Sequence, residues 1–240
     1  MSSATTADEI AFLRSRPLAS VVQQEIERQI LSGALAAGVR LNELEIARQL
    51  GISRAPVRES LRTLEQAGLV VSRKNFGVFV RTVSIEEARE IYQVRSYIDA
   101  AVGAELARAI GAADVEELER MMERMRSAFT AGNVAAYHEV NVSFHERMVE
   151  MVRNRKLLEV YRKLLKELAL YRRHSLAQPG AMERSMKEHT AIVAMIKSKD
   201  AAGAGKLMGE HILASSERLQ RAHETTAPAA SRARRKGRTS

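Results

Sequence analysis

Histidine is confined to one part of this chain: all six lie between His138 and His223. Three of them sit inside apolar, helix-spaced patterns. His189 is flanked by Met186, Ile192, Val193 and Ile196, and His211 by Leu207, Met208 and Ala214. His145 follows His138 and Asn141 at spacings that put all three on one helix face. Three inward histidines on three helices are more than a core usually leaves unsatisfied. Neutral imidazoles suit a borderline divalent ion such as zinc, with one position open for water or ligand. Taken singly, each histidine has an ordinary alternative as a hydrogen-bonded core residue. Two arginines fall in similar surroundings: Arg95 among Ile91, Ile98 and Val102, and Arg172 among Leu158, Leu165 and Leu168. A buried guanidinium demands an anion. For Arg95 that anion is either Asp99, four residues on, or a bound carboxylate.

A second set of arginines points to different chemistry. Arg54, Arg58 and Arg62 form one stripe at helical spacing, beside an apolar seam of Val57, Leu61 and Leu64. The planar guanidinium fork grips phosphate or the O6/N7 edge of guanine bidentately. Ser53 is placed to cap this helix, whose first turn can bind a phosphate oxygen, and Pro56 falls where a missing N–H costs nothing. Asn42 and Glu45 signal the start of an earlier short helix with Ile46 and Leu50 inward, and Gly51 allows the turn between the two. Gly68 terminates the second helix. Residues 69–71 and 78–80, joined through Lys74 to Gly77, read as a two-stranded wing. Helix, glycine turn and helix is the helix-turn-helix layout.

The elements that must position these residues are mostly helical. Glycine and proline number 13 and 4 in 240 residues, and aromatics make up 4%. This disfavours an all-β chain. The predicted fold is mainly α, with an N-terminal winged helix-turn-helix and a C-terminal all-α bundle of about six helices around a ligand or metal cavity. Ser84 and Glu87 form a capping box for the first helix of the bundle. Further helices are expected near 115–131, 135–152, 156–176, 181–199 and 201–222, with Asp200 capping the last. The domains divide as a flexible N-terminus (1–17), a DNA-binding domain (18–82), an effector and dimerisation domain (83–223) and a disordered basic tail (224–240). Without cysteine, disulfide scaffolds, thiol nucleophiles and cysteine-ligated zinc are excluded. No apolar run reaches the roughly 18 residues of a membrane span, and the N-terminus lacks a signal-peptide layout. The expected location is cytoplasmic, at the nucleoid. The net charge of +9 suits a polyanionic partner, although five cations crowd the last nine residues.

The run from Leu35 to Leu41, then Leu50 to Leu61 and Leu64 to Val70, resembles the winged helix of GntR-family transcriptional regulators. That resemblance implies that Ser53, Arg54, Ala55 and Arg58 face operator DNA and that the wing tip, Asn75 to Gly77, enters the minor groove. Arg48, Arg62 and Lys74 complete the expected DNA-binding set. Ala55 stands where many members carry threonine. The segments Asn141 to His145, Glu188-His189 and Glu210 to Leu213 resemble the metal-binding FCD domain of the FadR subfamily. By that resemblance Asn141, His145, His189 and His211 hold one divalent ion, zinc first, with nickel or manganese as alternatives. Arg95 belongs to a Val-Arg segment that faces the pocket in the family, and Arg95 and Arg172 are expected to bind a small organic acid. Asn141 replaces the aspartate usual before Phe-His; its carbonyl can ligate but brings no negative charge.

These features imply a homodimeric, ligand-responsive regulator, a repressor by expectation. Metal and histidines also describe hydrolases, but Glu146, Glu188 and Glu210 adjoin the candidate ligands about 100° away around their helices, and no catalytic motif occurs. A dimerisation module with a structural metal is the third reading.

Overall fold

The computed structural model describes residues 17–172 and 180–226, without the side chains of residues 170–172 and 222–226. Residues 1–16 of the expected flexible N-terminus, residues 227–240 of the expected basic tail and the predicted helix end at 176 lie outside the described residues; residues 224–226, expected to begin the disordered tail, are instead helical. In chain order the elements are α1 (Leu18–Ser32), β1 (Arg40–Leu41), α2 (Glu43–Gln49), α3 (Arg54–Gln66), β2 (Val70–Arg73) and β3 (Gly77–Val80). There follow α4 (Ile85–Ala109), α5 (Ala112–Thr130), α6 (Val134–Met151), α7 (Arg155–Arg172), α8 (Ala181–Lys197) and α9 (Ala201–Thr226). The chain forms two compact units: one runs to Val83 and includes Leu165–Leu170 of α7, and the other contains the rest.

The first unit is built on the seam expected for α3. Val57, Leu61 and Leu64 are buried with Val22, Ile26 and Ile30 of α1 and with Leu69, Val70 and Val80. Burying each such side chain contributes about 1.5–3 kcal/mol. Asn42 Oδ1 accepts hydrogen bonds from Leu44 N–H and Glu45 N–H, starting α2 as expected. Two expectations for this region need correction. Ala47, not Leu50, is the buried residue of α2, and Leu50 is 44% exposed. Ser53 holds the N-cap position of α3 but its side chain makes no capping bond. The sheet also has three strands, in the order β1-β3-β2, both pairings antiparallel. Strand β1 pairs Arg40 with Phe79 and Leu41 with Val78. Gly77, at φ +99°, begins β3 in a conformation that side chains other than glycine rarely adopt.

The second unit is the helical bundle of α4, α5, α6, α8 and α9 with the remainder of α7. Ser84 Oγ accepts from Glu87 N–H to cap α4, and Asp200 Oδ1 accepts from Gly203 N–H at the start of α9, both as expected. Methionines fill much of the interior, among them Met121, Met122, Met125, Met148 and Met208. Their unbranched chains adapt to the gaps between crossing helices. Helices α4 and α9 approach closely at Gly103, where an added Cβ would lie 2.9 Å from Ala204 O and 2.7 Å from Met208 Cγ. That contact brings the pocket-facing residues of α4 and α9 within reach of one another.

Candidate metal centre and nucleic-acid interface

Helices α6, α8 and α9 carry His145, His189 and His211 into one cluster, all three buried. His145 Nε2 lies 3.2 Å from His211 Nε2 and 3.2 Å from His189 Nε2. The opposite ring nitrogens decide which atoms carry protons. His145 Nδ1 donates to Asp99 Oδ1 of α4 at 3.1 Å, and His211 Nδ1 donates to Glu188 Oε2 of α8 at 2.6 Å. A carboxylate on Nδ1 fixes the tautomer with a bare lone pair on Nε2. Two such lone pairs facing each other at 3.2 Å repel unless a cation lies between them. Ser185 Oγ stands 3.5 Å from His189 Nδ1. Burial drives the His145 pKa down to about 4 against the pull of Asp99, and burial with the neighbouring imidazoles puts His189 well below its ordinary value. Both rings are neutral at neutral pH, the form that ligates a metal.

The carboxylates behind the rings are themselves held. Burial alone would raise the Asp99 pKa, but the Arg95 charge, His145 and Tyr161 keep it below the ordinary range. Arg95 Nη2 lies 3.5 Å from Asp99 Oδ2 and donates to Tyr161 Oη at 2.6 Å. Tyr161 Oη in turn donates to the Asp99 carboxylate, whose oxygens lie 2.9 and 3.1 Å away. Arg218 donates through both Nη atoms to Glu188, at 2.9 and 3.0 Å. Despite its burial, Glu188 has its pKa lowered to about 2 by hydrogen bonds from His211 and Arg218.

Beside the histidines lies a cavity of about 30 Å³, lined by Arg95, His138, Asn141, His145, Ser185 and Arg218 among others. Asn141 Oδ1 and Arg95 Nε are buried there with no hydrogen-bond partner. Three imidazoles with ligand atoms within 4.8 Å of one another, and an orphaned carbonyl oxygen on the wall of the adjoining cavity, are donors of the kind that a divalent ion takes. The residues present therefore fit a metal. His138 is half-buried on the cavity wall. Arg172 ends α7 with its side chain outside the described residues. The sequence pattern pointed to neither Tyr161 nor Arg218, and it set Glu188 apart from His189 without showing its partners, His211 and Arg218 on α9.

In the first unit, Arg48, Ser53, Arg54, Ala55, Arg58, Arg62, Lys74, Asn75 and Gly77 are all exposed. Arg54 and Arg58 both donate to Glu43 Oε2, at 3.2 and 3.3 Å. Asn75, at φ +66°, turns the wing tip, where Phe76 is 68% exposed.

Residues 18–80 match the family model for bacterial regulatory proteins of the gntR family, and residues 90–214 match that of the FCD domain. The HTH-type transcriptional regulator YdhC of Bacillus subtilis is 28% identical over 79% of this chain and 84% of its own length. The D-xylose utilization operon transcriptional repressor of Paenarthrobacter nicotinovorans, named as probable, is 28% identical over 82% of this chain and 86% of its own. Among solved structures, McbR/YncC of E. coli has the same fold, with a TM-score of 0.72 and 23% identity over 86% of this chain and 98% of that one. These relatives are named as regulators, not enzymes, and no helix among the described residues is long and apolar enough to cross a membrane. The chain belongs to the GntR family of DNA-binding transcriptional regulators, with an FCD-type C-terminal domain that carries a histidine cluster able to coordinate a divalent metal.

Proposed function

We propose that the chain is a homodimeric repressor of the FadR subfamily whose operator affinity responds to a small organic acid bound in the C-terminal bundle. The observation that carries this reading is the pair of facing Nε2 lone pairs on His145 and His211, each set by a carboxylate behind its ring. With His189 and Asn141 these residues would hold the ion, zinc by preference and nickel or manganese as alternatives. When bound, the ion supplies a strong positive charge that attracts a carboxylate.

The surrounding residues leave that attraction uncancelled. Asp99 is already paired with Arg95 and Glu188 with Arg218, and the four ligands are neutral. Arg95, through its unpartnered Nε, and Arg172 are assigned to the acid. The cavity has room for roughly one water molecule, so an acid enters only as the residues lining it from α4, α6 and α9 separate. A ligand controls DNA binding only if it favours one such arrangement over another. Residues 18–82 read a near-palindromic duplex, α3 in the major groove and the wing at the minor groove, with Arg48, Ser53, Arg54, Ala55, Arg58, Arg62, Lys74, Asn75 and Gly77 at the contact. Residues 83–223 bind the effector and pair the subunits. The place of action is the cytoplasm, at the nucleoid.

The test uses zinc-loaded protein, a duplex selected by it from a randomised pool, and a panel of small carboxylates. At least one acid should raise thermal stability by mass action and release the duplex. His189→Ala should bind the duplex but ignore the acid. The small cavity favours one other reading, a metal that only braces the bundle. Equal release of the duplex from His189→Ala would establish that alternative.

A further inference from the structure

We propose that Glu43 is a specificity-determining residue of the DNA interface, acting as an internal competitor for the two arginines that face the nucleic acid. Glu43 is the first residue of α2, placed by the Asn42 cap. Its Oε2 accepts from Arg54 Nη2 at 3.2 Å and from Arg58 Nε and Nη2, both at 3.3 Å. Both arginine side chains are about half exposed, whereas Glu43 is 23% exposed. A single carboxylate oxygen, sunk beneath them, thus ties together two cations one helical turn apart.

A carboxylate at a surface built to meet phosphate is costly unless it does something. Here it has two effects. It offsets the repulsion between like charges at this spacing, and it restrains long side chains that otherwise lose considerable rotamer freedom on binding. Arg58 is gripped along its Nε–Nη2 edge, so its Nη1 end stays available for a base edge or phosphate. Nonspecific binding depends on arginines swinging to whatever phosphate is near. To do so, Arg54 and Arg58 must give up Glu43, whose charge also repels the backbone. A cognate site that accepts the guanidinium groups where Glu43 already holds them incurs no such loss. Glu43 therefore weakens random binding more than operator binding.

The experiment measures affinity of the full chain for two duplexes over a range of salt. One is selected by the wild-type protein from a randomised pool; the other is its scrambled sequence. Glu43→Gln keeps the shape and removes the charge. It should tighten binding to the scrambled duplex, steepen its salt dependence and cut the selected-to-scrambled affinity ratio about tenfold, the scale of two exposed charge pairs. Glu43→Ala should shift the ratio in the same direction, and a thermal melt of each variant reports that it is folded. An unchanged ratio in a folded variant, or equal weakening on both duplexes, overturns the proposal. The same drop in ratio when Arg54 and Arg58 are both already lysine would also overturn it, since the hold of Glu43 Oε2 on the guanidinium groups would then not be the cause.

Discussion

A histidine serves a metal only in the tautomer its far nitrogen allows, so the residues behind His145 and His211 matter as much as the rings. Glu188→Gln tests this: the amide oxygen can still accept from His211 Nδ1, but the charge that makes the ring a better donor is gone. Zinc affinity, measured against a competing chelator, should fall about 10–100-fold. The metal-free protein should also lose stability, because Arg218, 5% exposed, would lose its charge partner. On the DNA side, Arg58→Ala should weaken binding to the selected duplex by about 1–3 kcal/mol if the guanidinium reads a base edge; an equal loss on scrambled DNA would make it a phosphate contact. The three clustered histidines were legible because helical spacing alone shows which side chains face inward. Asp99 was legible as a partner for Arg95, being one turn away on the same helix. The roles of Tyr161 and Arg218, and the partners of Glu188, were not, since their pairings join residues 23 to 66 apart in the chain. Glu188 does point away from His189, as the helix geometry requires, and for that reason it reaches His211 on α9.

Where two helices must bring ligands together, their separation decides the site. Helix α4 carries Asp99 and Arg95, and α9 carries His211 and Arg218; Gly103 and Gly205 let the two backbones close. Gly103→Leu would force a side chain against Ala204 O, and overpacking of this kind typically costs about 1–3 kcal/mol. Urea unfolding should show that loss, and zinc affinity should fall with it, because the helix would be displaced just one turn from Asp99. Unaltered zinc affinity in a destabilised variant would mean the site tolerates helix movement. The helices themselves were readable from caps and periodicity: α8 and α9 begin at the expected residues, and the ends elsewhere differ by a few positions. Strand β1 was missed because two residues leave no alternation to read. Leu50 was misjudged because an apolar residue at the end of a short helix can face either the core or solvent, and only packing decides which.

At the scale of the whole molecule, charge is divided between the body of the chain and a C-terminal cluster. Arg232, Arg234, Arg235, Lys236 and Arg238 account for five of the net +9. Phosphate attraction depends on how many cations approach the duplex, whereas discrimination depends on how fixed side chains meet base edges. Deleting residues 227–240 should therefore weaken binding to the selected and scrambled duplexes by a similar factor. The slope of log affinity against log salt should become shallower by no more than about 4.5, the limit if all five cations neutralise phosphates. The selected-to-scrambled ratio should stay constant. This separates the terminal cluster from Glu43, whose loss should move the ratio and tighten scrambled binding. Anisotropy titrations of the truncated chain at several salt concentrations decide the matter. A ratio that collapses on truncation would mean the terminal cations take part in reading sequence, and the recognition surface would then extend well beyond α3 and the wing.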